Sequence, residues 1–390
     1  MTDTVIIGTG IIGLSTAYYL SLSSPKTKIH LIEASPRLFS SASGYSAGFL
    51  ASDWYGPATA SLGALSFKLH KELAEENDGR KRWGYSRSTG TSHVAGKRPG
   101  KKGGGDLRGV GAREQMAGTH DFSGGKGPAW LTRTEGDKLE VISEDDSTAQ
   151  VDPLKLCKFL LGELLDAGVR LHQPAKVTAL SVDNESVLNG VRIKGEEDGG
   201  KEYDVDCARL VITAGAWTAD VFESLFTYAK STLPIGRLAG HSLVVRSPRW
   251  TAEHEERGCH AVFSTGSDGY SPEVFSRIGG EIYIAGLNDP DLELPEVETL
   301  PSLPDDEAAK RLKDTAARML GLASGEDDLE IVREALCFRP ITERGPPIVT
   351  RLADEKLGGG MKTRGGRDGG VFISAGHGVS VSCSMLSFSY

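Results

Sequence analysis

The sequence has few cysteines, no long apolar run and a deficit of positive charge, and each shortage excludes something. The five cysteines (Cys157, Cys207, Cys259, Cys337, Cys383) are scattered, odd in number and form no Cys-x-x-Cys pair. Neither a disulfide framework nor a zinc site is indicated, and no metal ligands are assigned. A reducing, cytoplasmic setting is the expectation. No stretch approaches the roughly 18–20 apolar residues needed to cross a bilayer. The start, Met1-Thr2-Asp3-Thr4, lacks the basic region of a signal peptide, so no membrane partner is expected. Lys and Arg number 44 against 53 Asp and Glu, a net charge of −9, which argues against a nucleic-acid binder. What remains is a chain of 390 residues with an ordinary apolar content of 39%. That is too long for one small core, so two interleaved domains are expected.

Short apolar runs at residues 4–7 and 28–33 flank a helical pattern at 12–20, a βαβ unit within the first 33 residues. Asp152-Pro153 reads as an N-cap with proline in the first turn of a helix carrying Leu154, Leu156, Phe159, Leu160 and Leu164 on one face. Strand-like runs follow at 176–182, 187–194 and 203–213, with Asn189-Gly190 as a turn or bulge inside the second. Further strands are expected at 243–246, 281–285, 330–338 and 371–374, and an amphipathic helix at 305–320. Eleven glycines lie between Gly96 and Gly127, and ten Lys or Arg with one acid, Asp106, between Arg80 and Arg113. No aromatic interleaves the charges between Arg87 and Arg113, so a mobile solvated loop at about 84–128 is expected, not a nucleic-acid patch. A second glycine-rich loop at 358–370 reads as a hairpin tip.

"VIIGTGIIGLSTAYYL" carries Gly8, Gly10 and Gly13 in G-x-G-x-x-G spacing, after a strand and opening a helix. Gly8 permits the tight turn, Gly10 leaves room for a pyrophosphate, and Gly13 lets helix and strand pack closely. Ile11 and Ile12 begin the helix whose N-terminus favours an anion. Glu33, with Ala34 after it, ends the second strand twenty residues beyond Gly13. A carboxylate there accepts ribose hydroxyls and repels a 2′-phosphate. The pattern indicates an adenine dinucleotide and leaves NAD and FAD open.

Four further segments follow in order: "SSASGYSAGFL" at 40–50, "TAGAWT" at 213–218, "CFRPITERGPPIV" at 337–349 and "FISAGHGV" at 372–379. Together with the fingerprint they resemble the FAD-dependent oxidoreductases of the D-amino-acid oxidase superfamily, which includes glycine oxidase and sarcosine oxidase, and most closely its fungal members. The resemblance implies FAD as cofactor. It implies an α/β fold in which a Rossmann-like FAD-binding part with a β-meander (1–55, 150–220 and 325–390) interleaves with a smaller α+β substrate domain with a mainly antiparallel sheet (56–149 and 221–324). It also implies that Ser43, Gly44, Ser46, Ala47 and Gly48 border the flavin, that Val177 meets adenine, and that Ala214, Gly215 and Trp217 pass the pyrophosphate. Gly376, His377 and Gly378 then form the turn beside the isoalloxazine.

The activity implied is oxidation of the C–N bond of an amino acid or secondary amine, with hydride going to flavin N5 and molecular oxygen as acceptor. Arg339 is the expected carboxylate anchor, and Cys337 stands where the sarcosine-oxidase branch attaches its flavin covalently; in the glycine-oxidase branch the comparable stretch holds a non-covalent flavin, and a free cysteine is commonly a small buried apolar residue. His377 hydrogen-bonds the flavin pyrimidine or caps the turn, and Arg277 supplies positive charge for oxygen reduction. An NAD-dependent dehydrogenase would need a second βαβ unit directly after Glu33, where the serine/glycine loop stands instead. In the resembled family the last turn opens a long helix. Here "SVSCSMLSFSY" at 380–390 has five serines in eleven residues and is a poor helix former. The expectation is a truncated chain joined to foreign sequence after Val379, with weak flavin retention. The alternative reading is therefore a catalytically impaired flavoprotein-like scaffold.

Overall fold

A computed structural model describes residues 3–95, 127–133, 136–195, 199–265, 270–322, 328–366 and 369–378. The strand β1 (Thr4–Ile7) is buried at every position. It runs parallel to β2 (Ile29–Ile32) on one side and to Arg209–Ile212 on the other. Arg170–His172 and Gly370–Ala375 extend this sheet in parallel, and Ile348–Arg351 closes one edge antiparallel.

Both faces of the sheet are covered, which is why its strands read as continuous apolar runs rather than alternating ones. On one face, helix α1 (Ile11–Ser23) and helix Pro153–Asp166 bury Leu14, Ala17, Leu156, Leu160 and Leu164 beside Trp83. The second helix starts as the sequence signals: Asp152 accepts the Lys155 amide at 3.1 Å, with proline in the first turn. On the other face lie helix Thr218–Leu225 and an antiparallel meander of Ala175–Val182, Leu188–Gly195 and Glu202–Asp206. Val5, Ile7, Leu188, Val191, Leu210 and Phe222 fill the space between.

The run at 203–213 serves two sheets, not one strand. Glu202–Asp206 ends the meander, the Cys207 amide bonds to Asn189 O at 2.9 Å, and Arg209–Ile212 then enters the parallel sheet. Asn189 and Gly190 lie inside Leu188–Gly195, and the register shift falls opposite them, between Ser181 and Val182.

The larger sheet has nine strands among the described residues and is mainly antiparallel. Helix Asp306–Leu320 covers it, placing Leu312, Ala316 and Met319 against Leu243, Ile282 and Ile284. Its cap is Asp305, which accepts the Ala308 amide at 2.8 Å. Two strands from the ranges expected to bind the nucleotide, Phe49–Ala51 and Glu330–Thr342, hydrogen-bond within this larger sheet. The expected loop at 84–128 needs a correction at its start. Ser86–Val94 is a strand, parallel to Cys259–Thr265 and antiparallel to Lys138–Ser143. Its sequence is small and polar, yet it is largely buried between two neighbouring strands. His93 Nδ1 meets Ser264 Oγ at 2.8 Å, and Thr148 Oγ1 donates to Ser88 O at 2.5 Å. Residues 96–126 of that loop and the tail at 379–390 lie outside the described residues. The glycine-rich stretch at 358–370 connects the antiparallel pair Ile348–Arg351 and Gly370–Ala375, after one helical turn at Asp354–Leu357.

At the outer edge of the parallel sheet, His30 Nδ1 and His172 Nε2 are 3.0 Å apart, and His172 Nδ1 is 2.7 Å from the Tyr203 hydroxyl. Burial pushes His30 down to about 4, with His172, Arg170 and Lys28 adding to the effect and Asp3 opposing it. Burial and Arg170 also lower His172. The folded protein therefore favours neutral rings, so their contribution to stability is complete above about pH 6.5. It is lost as pH falls from there towards 4. The urea midpoint should drop more steeply over that window in the wild type than in His30→Gln. Equal slopes would contradict a role for the pair.

Candidate functional site

The carboxyl ends of β1, β2, Arg209–Ile212 and Gly370–Ala375 converge on a cavity of about 480 Å³. This lies within the roughly 300–1,000 Å³ common for ligand and cofactor clefts, and at the strand ends where open parallel sheets bind nucleotides. Gly8 leaves β1 with φ +99°, and a Cβ there would lie 2.6 Å from Thr213 O. Only glycine tolerates both conditions. Gly13 packs on the same turn, where a Cβ would sit 2.0 Å from Gly8 O. Gly10 is the N-cap of α1 in extended conformation. It gives no side-chain cap, and the first helical turn has no acid. The positive end of the helix therefore faces the cavity uncompensated by any carboxylate of its own first turn. Ser43 contributes one contact there, accepting the Ile11 amide at 2.9 Å.

Glu33 ends β2 with its carboxylate held from both sides. Thr9 donates its amide at 3.0 Å and its hydroxyl at 2.6 Å to one oxygen, and the Ser35 amide donates at 2.9 Å to the other. The Ala175 amide bonds to Glu33 O at 2.8 Å. This draws the first meander strand, with Lys176 and Val177, to the rim. Across the cavity, Ala214, Gly215 and Trp217 follow strand Arg209–Ile212, and the Trp217 indole donates to Pro295 O at 2.8 Å. At the far end are Phe338, Pro340, His377 and Gly378. The Gly378 amide bonds to Pro340 O at 2.7 Å, which fastens the last turn to the long strand Glu330–Thr342. Burial pushes His377 down to about 4, so its ring is neutral near pH 7.

The lining thus joins Gly8, Gly10, Ile11, Ile12, Glu33, Ala34, Ser43, Val177, Ala214, Gly215, Trp217, His377 and Gly378 from the residues marked in the sequence. Gly13, Gly44, Ser46, Ala47, Gly48, Cys337, Arg339 and Gly376 stand outside it. Gly13 and Gly376 serve close packing; a Cβ on Gly376 would lie 2.4 Å from a methyl of Thr342. Cys337 and Arg339 alternate with the lining residues Phe338 and Pro340, so the pleat turns them to the opposite side of the strand. Cys337 is buried, and burial raises its thiol pKa while Arg339 and Arg333 oppose the rise. Arg339 donates to the Asn288 side chain.

Sequence reasoning missed Thr9, Arg37, Asp220 and the segment 294–300. Thr9 lies inside the fingerprint, where a hydroxyl between Gly8 and Gly10 was a usable signal. Segment 294–300 carries no motif. It reaches the cavity through a Lys176–Glu298 ion pair and the Trp217–Pro295 bond, contacts between residues far apart in the chain.

An adenine dinucleotide fits these residues. Its diphosphate matches a helix N-terminus free of acids, and its ribose hydroxyls match a fixed carboxylate on the same cavity wall. Comparison with known proteins agrees. Residues 3–385 match the family described as FAD dependent oxidoreductase. A candidate oxidoreductase of Schizosaccharomyces pombe is 27% identical over 400 residues, covering 96% of this chain and 88% of the relative. Among solved structures, glycine oxidase from Bacillus cereus superposes with a TM-score of 0.68 at 17% identity, over 100% of this chain and 93% of its own. L-proline dehydrogenase from P. horikoshii gives 0.67 at 14% identity, over 100% and 91%. The chain belongs to the family of FAD dependent oxidoreductases, and FAD is its cofactor.

Proposed function

We propose that this protein oxidises the C–N bond of an amino acid or secondary amine and passes the electrons to molecular oxygen. The observation that carries the reading is the single cavity that runs from the Glu33 carboxylate, past the N-terminus of α1, to His377 and Pro340. It has a ribose-binding end and a second end walled by the long strand of the larger sheet. The similarity to a glycine oxidase and an L-proline dehydrogenase supports the substrate class. Residues 1–55, 150–220 and 325–390 would hold the cofactor, and 56–149 and 221–324 the substrate.

Bound FAD supplies the hydride acceptor. The chain supplies placement. Glu33 accepts the ribose hydroxyls, and the Gly10–Ile11 end of α1 accepts the diphosphate. Ser43 would border the ring from the cavity lining, with Gly44, Ser46, Ala47 and Gly48 behind it. His377, neutral near pH 7, acts as a hydrogen-bonding group and not as a charge. Arg339 is the candidate anchor for a substrate carboxylate, where a guanidinium provides two parallel bonds. Among the described residues no helix is long and apolar enough to cross a membrane. Cys157, Cys207, Cys259 and Cys337 are unpaired, which supports a reducing, cytoplasmic setting.

Replacing Glu33 with Ala should weaken FAD binding by about 1–3 kcal/mol, the cost of leaving hydroxyls unpaired. Fluorescence titration of the apoprotein measures this, and an unchanged dissociation constant would remove Glu33 from the site. Arg339→Met should raise KM for carboxylated amines by a factor consistent with about 1–3 kcal/mol. It should leave KM for an amine without a carboxylate unaltered. Peroxide release across both substrate sets reads the difference, and a parallel change in both would reject the anchor.

A further inference from the structure

One wall of the cavity comes from the part of the chain that carries the larger sheet. Strand Glu281–Asp289 ends and helix Asp306–Leu320 begins on either side of an irregular segment. From that segment Leu294, Pro295, Val297 and Leu300 line the cavity with apolar surface. Its start is fixed. The Asp289 carboxylate accepts the Asp291 and Leu292 amides at 2.8 and 3.1 Å, and Arg237 donates to Leu292 O at 2.9 Å. Leu292 and Leu294 then pack on Ala216, Ala239, Leu336 and Phe338.

Beyond this anchored start, two contacts fasten the segment to the nucleotide side of the cavity. The Trp217 indole donates to Pro295 O at 2.8 Å, and the Lys176 ammonium pairs with the Glu298 carboxylate. Lys176 belongs to the first meander strand, which the Ala175 amide ties to Glu33 O. The ion pair therefore stands at the Glu33 end of the cavity. Burial would raise the Glu298 pKa, but the Lys176 ammonium and a backbone hydrogen bond outweigh it and hold the carboxyl below its ordinary value. We propose that residues 292–300 are a strap over the adenosine half of FAD, and that Lys176 and Glu298 are positioning residues whose ion pair holds the strap down and slows release of the cofactor. This rests on the placement of the ribose at Glu33 given under Proposed function. The two side chains are 48% and 33% exposed, so solvent screens the pair and its effect on release is modest.

For one substitution, direct electrostatics and fastening predict opposite signs. FAD is anionic through its diphosphate. Removing the Glu298 carboxylate takes away a repulsion and frees the Lys176 charge, which on its own would slow release. If the pair fastens the strap, the same substitution loosens the cover and release quickens. The test loads the full-length protein with FAD, dilutes it into a scavenger of free flavin, and follows release by flavin fluorescence. Glu298→Gln should release FAD faster than wild type by about two- to fivefold, the range of an exposed ion pair. Lys176→Glu combined with Glu298→Lys should return the rate towards wild type, as neither single reversal does. A glutamate-specific protease, which reaches the exposed Glu293 and Glu296, should cut the apoprotein faster than the FAD-loaded wild type. Release from Glu298→Gln that is unaltered or slower, or a strap cut equally fast with and without FAD, would overturn the proposal. Glu33→Ala protein that releases FAD no faster than wild type would overturn the placement of the ribose itself, an outcome distinct from a failed strap.

Discussion

The arrangement depends on one uncompensated charge, the positive end of helix α1. A helix N-terminus leaves its first amides without partners inside the helix, and here Ser43 Oγ accepts only the Ile11 amide and no first-turn acid supplies the missing negative charge. The turn that creates this end is narrow. Gly8 and Gly13 bring β1, α1 and Thr213 too close together for any Cβ, and Thr213 Oγ1 bonds to Ile7 O at 2.9 Å and Gly8 O at 3.0 Å. The cost of such a site is justified only by a ligand with negative charge at that point, which a dinucleotide diphosphate provides.

The rest of the fold builds walls around that point. Covering the parallel sheet on both faces leaves its strand ends as the open edge. Segments distant in the chain therefore meet there: Thr213 against Gly8, Pro340 against Gly378, and Pro295 against Trp217. The second, mainly antiparallel sheet closes the far end through a single long strand, Glu330–Thr342, and its basic residues reach back to the turn after Ser43.

How much was legible in the sequence follows from how local each signal is. Gly8, Gly10, Gly13 and Glu33 lie within one βαβ unit, so spacing alone exposed them, as apolar runs exposed β1, β2 and the capped helix after Asp152. The strand Ser86–Val94 was hidden because its burial rests on pairing with two distant strands and on the His93–Ser264 contact, which composition alone does not reveal. The run at 203–213 hid a change of sheet because both halves are apolar and the break, Cys207-Ala208, contains no turn residue. The side of the strand taken by Cys337 and Arg339 depends on register. A shift of one residue would exchange them with Phe338 and Pro340. Segment 294–300 joins the cavity wholly through long-range contacts, and nothing local marks it.

The central claim is that affinity resides in the adenosine-diphosphate half of the cofactor, held by the end of α1 and by Glu33. Titrating the apoprotein with FAD and with FMN, which shares the ring and one phosphate but lacks the adenosine and the second phosphate, tests it most directly. The account predicts much tighter binding of FAD than of FMN. Equal affinity for the two, or retention of neither, would contradict it.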